Sequence, residues 1–349
     1  MTKWVNSMEF PASPLIGPEQ YSPEWYRLRL HRPDEDAPVI FGASEAGMVM
    51  NSSPYGQQLD LALRKWGKAD VDENRRMWLG TRFEPIILDW YSEELAARIA
   101  DGRTPWEQAA DFEVRRGIPL LISRDWPWLA ASPDAVLCMF EEPRMILEAK
   151  FTGSFMRDKT GSNPDRWGEE ESEEVPLDYF WQGQQQMAVT GLHRVEFPVL
   201  FDGRNLKVYA IERDEQSIMA LVEVSKELAR KVHAKEKPPV QYDIPGAKDC
   251  VQRYYGRDPG AVKVLDESAA DAWDRLEAIK KDLKMLDKEK EKALAEIEDK
   301  MEGADFGSLP GGNEIKRITI KESVWTETDV VKAQQSLGEV KRKGYSYFK

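Results

Sequence analysis

Three residues near the middle of the chain bring two acids and a lysine together at a spacing that suits phosphodiester chemistry. Asp134 stands in Ser132-Pro133-Asp134-Ala135, and after thirteen further residues Glu148 and Lys150 stand in Ile146-Leu147-Glu148-Ala149-Lys150. Residues two apart on a strand share one face, so Glu148 and Lys150 point the same way. If the strand that follows Asp134 neighbours theirs, Asp134 meets Glu148 around one cation with Lys150 beside them. Hydrolysis of a phosphodiester needs an activated water and a counter-charge for the phosphate, which a cation held by carboxylates supplies; the lysine orients or deprotonates the water. A Glu-x-Lys pair is more often what a solvated edge strand displays as an ordinary surface ion pair, and that reading stays open. The proline-aspartate turn at hairpin distance upstream strengthens the case for a site without outweighing the solvated pair.

Other chemistries are narrowed by what the chain lacks. Two cysteines, Cys138 and Cys250, cannot build a four-cysteine zinc or iron–sulfur centre or a secreted disulfide framework, and are read as buried thiols. The three histidines, His31, His193 and His233, fall in no ligand spacing. A catalytic metal must then be held by carboxylates, which points to a hard cation: Mg²⁺, with Mn²⁺ able to substitute. A net charge of -13 argues against a nucleic-acid partner at first sight. The charge is uneven, however, with an acidic run at Glu169-Glu170-Glu171-Ser172-Glu173-Glu174 that reads as a solvated loop. Bound cations would also offset carboxylates at the site. No apolar stretch is long enough for a membrane helix and Met1-Thr2-Lys3-Trp4 has no signal-peptide core, so the expectation is a cytoplasmic protein with no membrane partner.

The elements that must position these residues can be sketched from periodicity. With 349 residues and 41% hydrophobic content, the chain can bury a large core. Residues 1–20, carrying Pro11, Pro14 and Pro18, read as an irregular arm. Helices are expected from Pro23 to about Lys68, with Ser44 in an N-cap position, and from Arg75 to Ile99. A meander of strands follows: 111–115, 120–123, 129–132, 135–140 and 145–151. Then come a helix over 177–190, strands 194–202 and 205–212 around a turn at Gly203, and a helix over 214–235. This order makes an α/β or α+β domain, a central mixed sheet flanked by helices, over residues 21–245. Residues 246–349 form a helical extension. Leu276, Ile279, Leu283, Leu286, Ala293 and Ile297 keep a three–four spacing broken by Lys290, which suits either a coiled-coil pair or an amphipathic helix packed on its own domain. A strand at 315–320 and the basic-aromatic tail from Lys341 to Lys349 complete it.

Several segments together resemble one family. Pro133-Asp134 with Glu148-Ala149-Lys150 is similar to the PD-(D/E)xK nuclease signature. Phe41-Gly42-Ala43-Ser44-Glu45-Ala46 with Ser53-Pro54-Tyr55 and Lys65-Trp66-Gly67, then Gly80-Thr81-Arg82-Phe83-Glu84-Pro85, and finally the glutamine-rich stretch from Tyr179 to Gly191, resemble the lambda-exonuclease-like (YqaJ-type) viral recombinases. The resemblance implies a restriction-endonuclease-like core. In it Asp134, Glu148 and the backbone carbonyl of Ala149 are metal ligands, and Glu84 completes or shares the site. Lys150 serves the attacking water with Gln182 beside it; Gln184 and Gln186 are further candidates on the same helix. Ser44 would bind a terminal phosphate, a role compatible with an N-cap. Arg27, Arg29 and Arg32 compete to be the family's phosphate-binding arginine, with Arg29 the candidate named here. Trp126 and Trp128 flank the catalytic turn and suit either base stacking or burial under the sheet.

The function this implies is a metal-dependent exonuclease acting 5′-to-3′ on duplex DNA in phage or prophage recombination. Its product would be a 3′ single strand, its assembly a homo-oligomeric ring, and its companion a single-strand annealing protein. The alternatives are a structure-specific or restriction-type endonuclease on the same fold, and a nonenzymatic DNA-binding or scaffolding protein.

Overall fold

A computed structural model describes residues 8–30, 39–69, 75–100, 112–153, 167–169, 172–310, 312 and 314–316. The chain divides into two compact units, Met1–Asp258 and Pro259–Lys349.

The first unit is built on alternation. Strands β3 (Phe112–Arg116), β6 (Ala135–Met139), β7 (Glu142–Leu147), β8 (Lys150–Thr152), β9 (Arg194–Phe201) and β10 (Asn205–Glu212) form a six-stranded sheet in the order β10-β9-β7-β6-β3, with β8 also on β9. The sheet is mixed, because β3, β6 and β7 run antiparallel in a meander while β7 and β8 run parallel to β9. On β6, Ala135, Leu137 and Met139 face Ile87, Leu88, Tyr91 and Leu95 of helix α4 (Arg75–Ala100). The residues between them, Val136 and Cys138, face Met187, Ala188 and Val189 of helix α5 (Leu177–Thr190) and Ile218 and Val222 of helix α6 (Glu215–His233). Period-two side chains thus give one sheet two apolar faces, each covered by helix, which is the α+β architecture expected.

A second, smaller sheet has the order β1-β4-β5-β2, from β1 (Leu15–Ile16), β2 (Phe41–Gly42), β4 (Leu121–Ile122) and β5 (Leu129–Ala131). Helix α1 (Pro23–Leu30) lies between β1 and β2 in the chain, and β2 leads through a 3₁₀ turn, Ala43–Glu45, into the short helix α2 (Ala46–Val49). Helix α3 is Gln58–Lys65.

Four details differ from expectation. The N-terminal arm is not wholly irregular: Met8 and Phe10 are buried in the main core and β1 pairs with β4. The single strand expected over 145–151 is two strands in unchanged register on β9, broken at Glu148-Ala149. The break has a cause across the ladder, since Pro198 of β9 has no N–H to donate where these residues pass. Ser44 is not an N-cap; the turn is closed by the Glu45 carboxylate, whose Oε2 accepts from the N–H of Gly42 at 2.9 Å. The first unit ends at 258/259 and not at 245/246, because helix α7 (Ala247–Tyr255) packs Cys250 against Leu59 and Leu63 of α3 and pairs Arg253 with Asp60.

In the second unit, helix α8 (Glu267–Met301) starts at Asp266, whose carboxylate accepts from the N–H of Ala269. Strands β11 (Phe306–Ser308) and β12 (Glu314–Lys316) form a hairpin, and the rest of the strand expected over 315–320 lies outside the described residues, as does the basic tail. No described helix is long and apolar enough to cross a membrane.

Candidate active site

The β6–β7 hairpin pairs Ala135 with Leu147, so the residues one step beyond, Asp134 and Glu148, meet at its open end. The Oδ2 of Asp134 accepts from the N–H of Ala149 at 2.9 Å, which ties the turn to the broken strand. Glu148 is buried and gathers donors: Lys150 Nζ reaches its Oε1 at 2.8 Å, Gln182 Nε2 reaches the same oxygen, and Gln186 Nε2 reaches Oε2 at 2.6 Å. Lys150 also donates to Gln182 Oε1 at 3.2 Å and lies 4.7 Å from the ring centre of Tyr179. Gln182 and Gln186, four apart, share one face of α5 and both serve Glu148.

Electrostatics marks the cluster as short of positive charge. Burial pushes the Glu84 carboxyl up to about 7, helped by Glu148 and opposed by Lys150 and Arg116. Asp134 is raised well above the ordinary aspartate range by burial, then by Glu148 and Glu84. Burial alone would draw a proton from Lys150, but Glu148 and Asp134 outweigh it and hold its pKa above the usual lysine value. Glu84 comes from α4, where Pro85 removes the helix bond that would reach the carbonyl of Thr81. Four predicted residues, Glu84, Asp134, Glu148 and Lys150, are therefore one electrostatic unit with Gln182 and Gln186 attached.

The donors fit a hard divalent cation in kind: they are carboxylate oxygens, partly withdrawn from water, whose mutual repulsion a cation would relieve. Among the described residues, no three His, Cys, Asp or Glu side chains converge closely enough to form a ready ligand cage. Both oxygens of Glu148 are engaged instead by Lys150 and the glutamines.

A second group lies on α1. Arg29 donates through Nη2 to Ser44 Oγ at 2.8 Å and lies 4.7 Å from the ring centre of Trp25. Its buried Nε has no hydrogen-bond partner. Gly42 makes room for the guanidinium; a Cβ there would fall 2.3 Å from Nη2. Behind it, the buried Lys65 donates to the carbonyl of Arg29 at 2.5 Å and to Glu45 Oε2 at 3.1 Å. Burial pushes the Glu45 carboxyl up, but Lys65, Arg29 and the N–H of Gly42 outweigh it and hold it below the usual range. Arg27 is exposed, and Arg32 lies outside the described residues.

The two groups are joined by residues that sequence reasoning missed. Tyr21 lies against Trp25 with ring centres 5.4 Å apart and planes tilted by 48°, and its hydroxyl is pushed up to about 12 by burial and by Glu84 and Asp134. Trp25 donates from Nε1 to Ser132 Oγ at 3.2 Å, two residues before Asp134. Only their place just before and within the arginine-bearing helix could have singled them out.

Other candidates sit elsewhere. Gln184 is fully buried, donates to the carbonyl of Glu212 and accepts from the N–H of Asp214, so it joins α5 to the start of α6. Trp128 is packed against the core with its Nε1 on Ser225 Oγ at 3.0 Å, and Trp126 packs there too, in keeping with burial and not base stacking.

No curated protein matches the sequence. An alkaline exonuclease from Laribacter hongkongensis is 20% identical over 56% of this chain and 89% of its own, with a TM-score of 0.39. A phage-related exonuclease from Haemophilus somnus 129PT is 9% identical over 57% of this chain and 95% of its own, with a TM-score of 0.38. The family model of the YqaJ-like viral recombinase domain matches residues 24–193, from the arginine helix through the acids to the end of the glutamine helix. Over that segment, about half of its length, the chain is similar to the YqaJ-like viral recombinase domain.

Proposed function

We propose that this protein is a divalent-metal-dependent exonuclease that degrades one strand of duplex DNA from its 5′ end. The observation that carries the reading is the buried cluster in which Glu84, Asp134, Glu148 and Lys150 perturb one another while Gln182 and Gln186 hold Glu148. Asp134 and Glu148 would hold Mg²⁺, with Glu84 and the carbonyl of Ala149 completing the set; Mn²⁺ has the same preference for oxygen and would substitute. A cation held there would supply Lewis-acid chemistry toward the phosphate and the attacking water. Lys150, held as ammonium by its acids, orients the attacking water and offsets charge on the phosphate. Gln182 fixes the lysine's position from α5.

Arg29 and Ser44 supply the end recognition. The half-buried guanidinium of Arg29 and the exposed Ser44 hydroxyl it donates to would form a site for a terminal phosphate, and Trp25 and Tyr21 line the way from it to the acids. A protein that grips a 5′ phosphate next to its hydrolytic centre removes nucleotides from that end and leaves a 3′ single strand, the substrate of an annealing protein. A ring of copies around the DNA belongs to the same proposal and has its support in the family resemblance.

The endonuclease reading differs in needing no end. Incubation with Mg²⁺ of linear duplex beside covalently closed circular duplex separates the two. Loss of linear DNA alone is expected; nicking or linearisation of circles at a comparable rate would replace this proposal with the endonuclease. A well-folded protein that cleaves neither would favour the DNA-binding reading.

A further inference from the structure

Helix α8 is 35 residues long and, among the described residues, buries a single one of its own, Met301. Most helical stability in proteins comes from packing an apolar face, so a helix this long with its face bare is incomplete by itself. The bare face runs the length of the helix, interrupted at Lys290. Ala269, Leu276, Leu283, Lys290 and Ile297 stand at one position of a seven-residue repeat, and Ala272, Ile279, Leu286 and Ala293 stand at the other core position. Ile279, Leu283 and Leu286 are all more than half exposed.

The charges flanking this stripe select what covers it. In a parallel pair of two α8 helices, Arg275 of one copy would meet Lys280 of the other and Asp282 would meet Asp287, each contact like-charged and each made twice. In an antiparallel pair centred on Leu283 against Leu286, the layers are Leu276 with Ala293, Ile279 with Lys290, and Ala272 with Ile297. The flanking contacts then become Lys280 with Asp287 and Arg275 with Glu296, both attractive, against one repulsive contact, Asp282 with Glu289. The same register brings Trp273 of one copy to Leu294 of the other, two exposed apolar side chains outside the core positions.

We infer that α8 is a self-association element: it pairs antiparallel with α8 of a second copy of this chain. The pairing spans residues 272–297, about 39 Å of helix at 1.5 Å per residue. This conclusion is independent of the nuclease reading and stands or falls with the α8 stripe alone.

Sedimentation of the full-length protein tests it. The Leu283→Glu, Leu286→Glu double variant should show half the wild-type mass while keeping its DNA digestion and its helical circular dichroism. Lys280→Asp, a charge reversal that also removes the ion pair with Glu277 and the contact over Trp273, reads orientation. The substituted carboxylate faces Asp287 in the antiparallel pair and should weaken association about tenfold, and adding Asp287→Lys should restore it. A wild-type mass left unchanged by the double variant would overturn the inference, and so would Lys280→Asp tightening association, which only a parallel pair would do by setting the new carboxylate against Arg275. A wild-type protein that sediments as one copy would overturn it as well.

Discussion

Glu84 is the residue whose environment makes the clearest solution prediction. Its folded pKa is raised from the ordinary value of 4.5 to about 7. The folded protein therefore binds this proton more tightly than the unfolded chain does. The stabilisation is complete below pH 4.5 and is lost as pH rises through 7, so the metal-free protein should melt at falling temperature between pH 5 and pH 8. Mg²⁺ competes with that proton and should raise the melting temperature more at pH 8 than at pH 5. Glu84→Gln should flatten both dependences in a thermal scan; a slope unchanged in the variant would show that Glu84 does not carry it. Arg29 makes a kinetic prediction. Arg29→Ala should raise KM for 5′-phosphorylated ends by about ten- to a hundredfold, the loss expected of a charged hydrogen bond. It should change KM for 5′-hydroxyl ends much less, and kcat least of all. Equal effects on both ends would separate Arg29 from phosphate recognition.

At the scale of elements, helix α5 holds the account together. Its Gln182 and Gln186 face Glu148, while Gln185 donates to the carbonyls of Phe41 and Ala130 at 2.9 Å each and so pins β2 and β5 side by side. Gln185→Leu would remove the side-chain amide that donates to both carbonyls and leave only their ladder bonds, and should cost about 1–3 kcal/mol in urea unfolding. A cost below about 1 kcal/mol would mean that water or relaxation replaces the amide. This helix also shows what a sequence can and cannot reveal. Its ends, 177 and 190, follow from the pattern and from Gly191, which takes the left-handed conformation that closes it. The roles of its glutamines were partly legible: residues four apart share a face, so Gln182 and Gln186 go together and Gln184, halfway between, turns toward β10 and α6 instead. The strand break at Glu148-Ala149 was not legible, because its cause, Pro198, is about fifty residues away and becomes a neighbour only through the β7–β9 pairing. Ser44 was misread as a cap because local preference cannot show that Glu45 closes the turn and Arg29 claims the hydroxyl.

For the whole molecule, a net charge of -13 and the proposed DNA substrate would be reconciled by the proposed cation. Carboxylates that repel phosphate in its absence become its anchor once neutralised. Lys150→Ala protein should accordingly bind a 5′-phosphorylated duplex more tightly in Ca²⁺ than in EDTA, read by fluorescence anisotropy; equal binding in both would place DNA recognition away from the acids. The most direct test of the central claim is a time course on linear duplex DNA labelled separately at its 5′ and 3′ ends, in Mg²⁺ and in EDTA, with Lys150→Ala alongside. Early release of the 5′ label as mononucleotide in Mg²⁺, absent in EDTA and reduced at least about a hundredfold in the variant, is the predicted result. Release of the 3′ label first, or undiminished digestion by Lys150→Ala, would contradict the account.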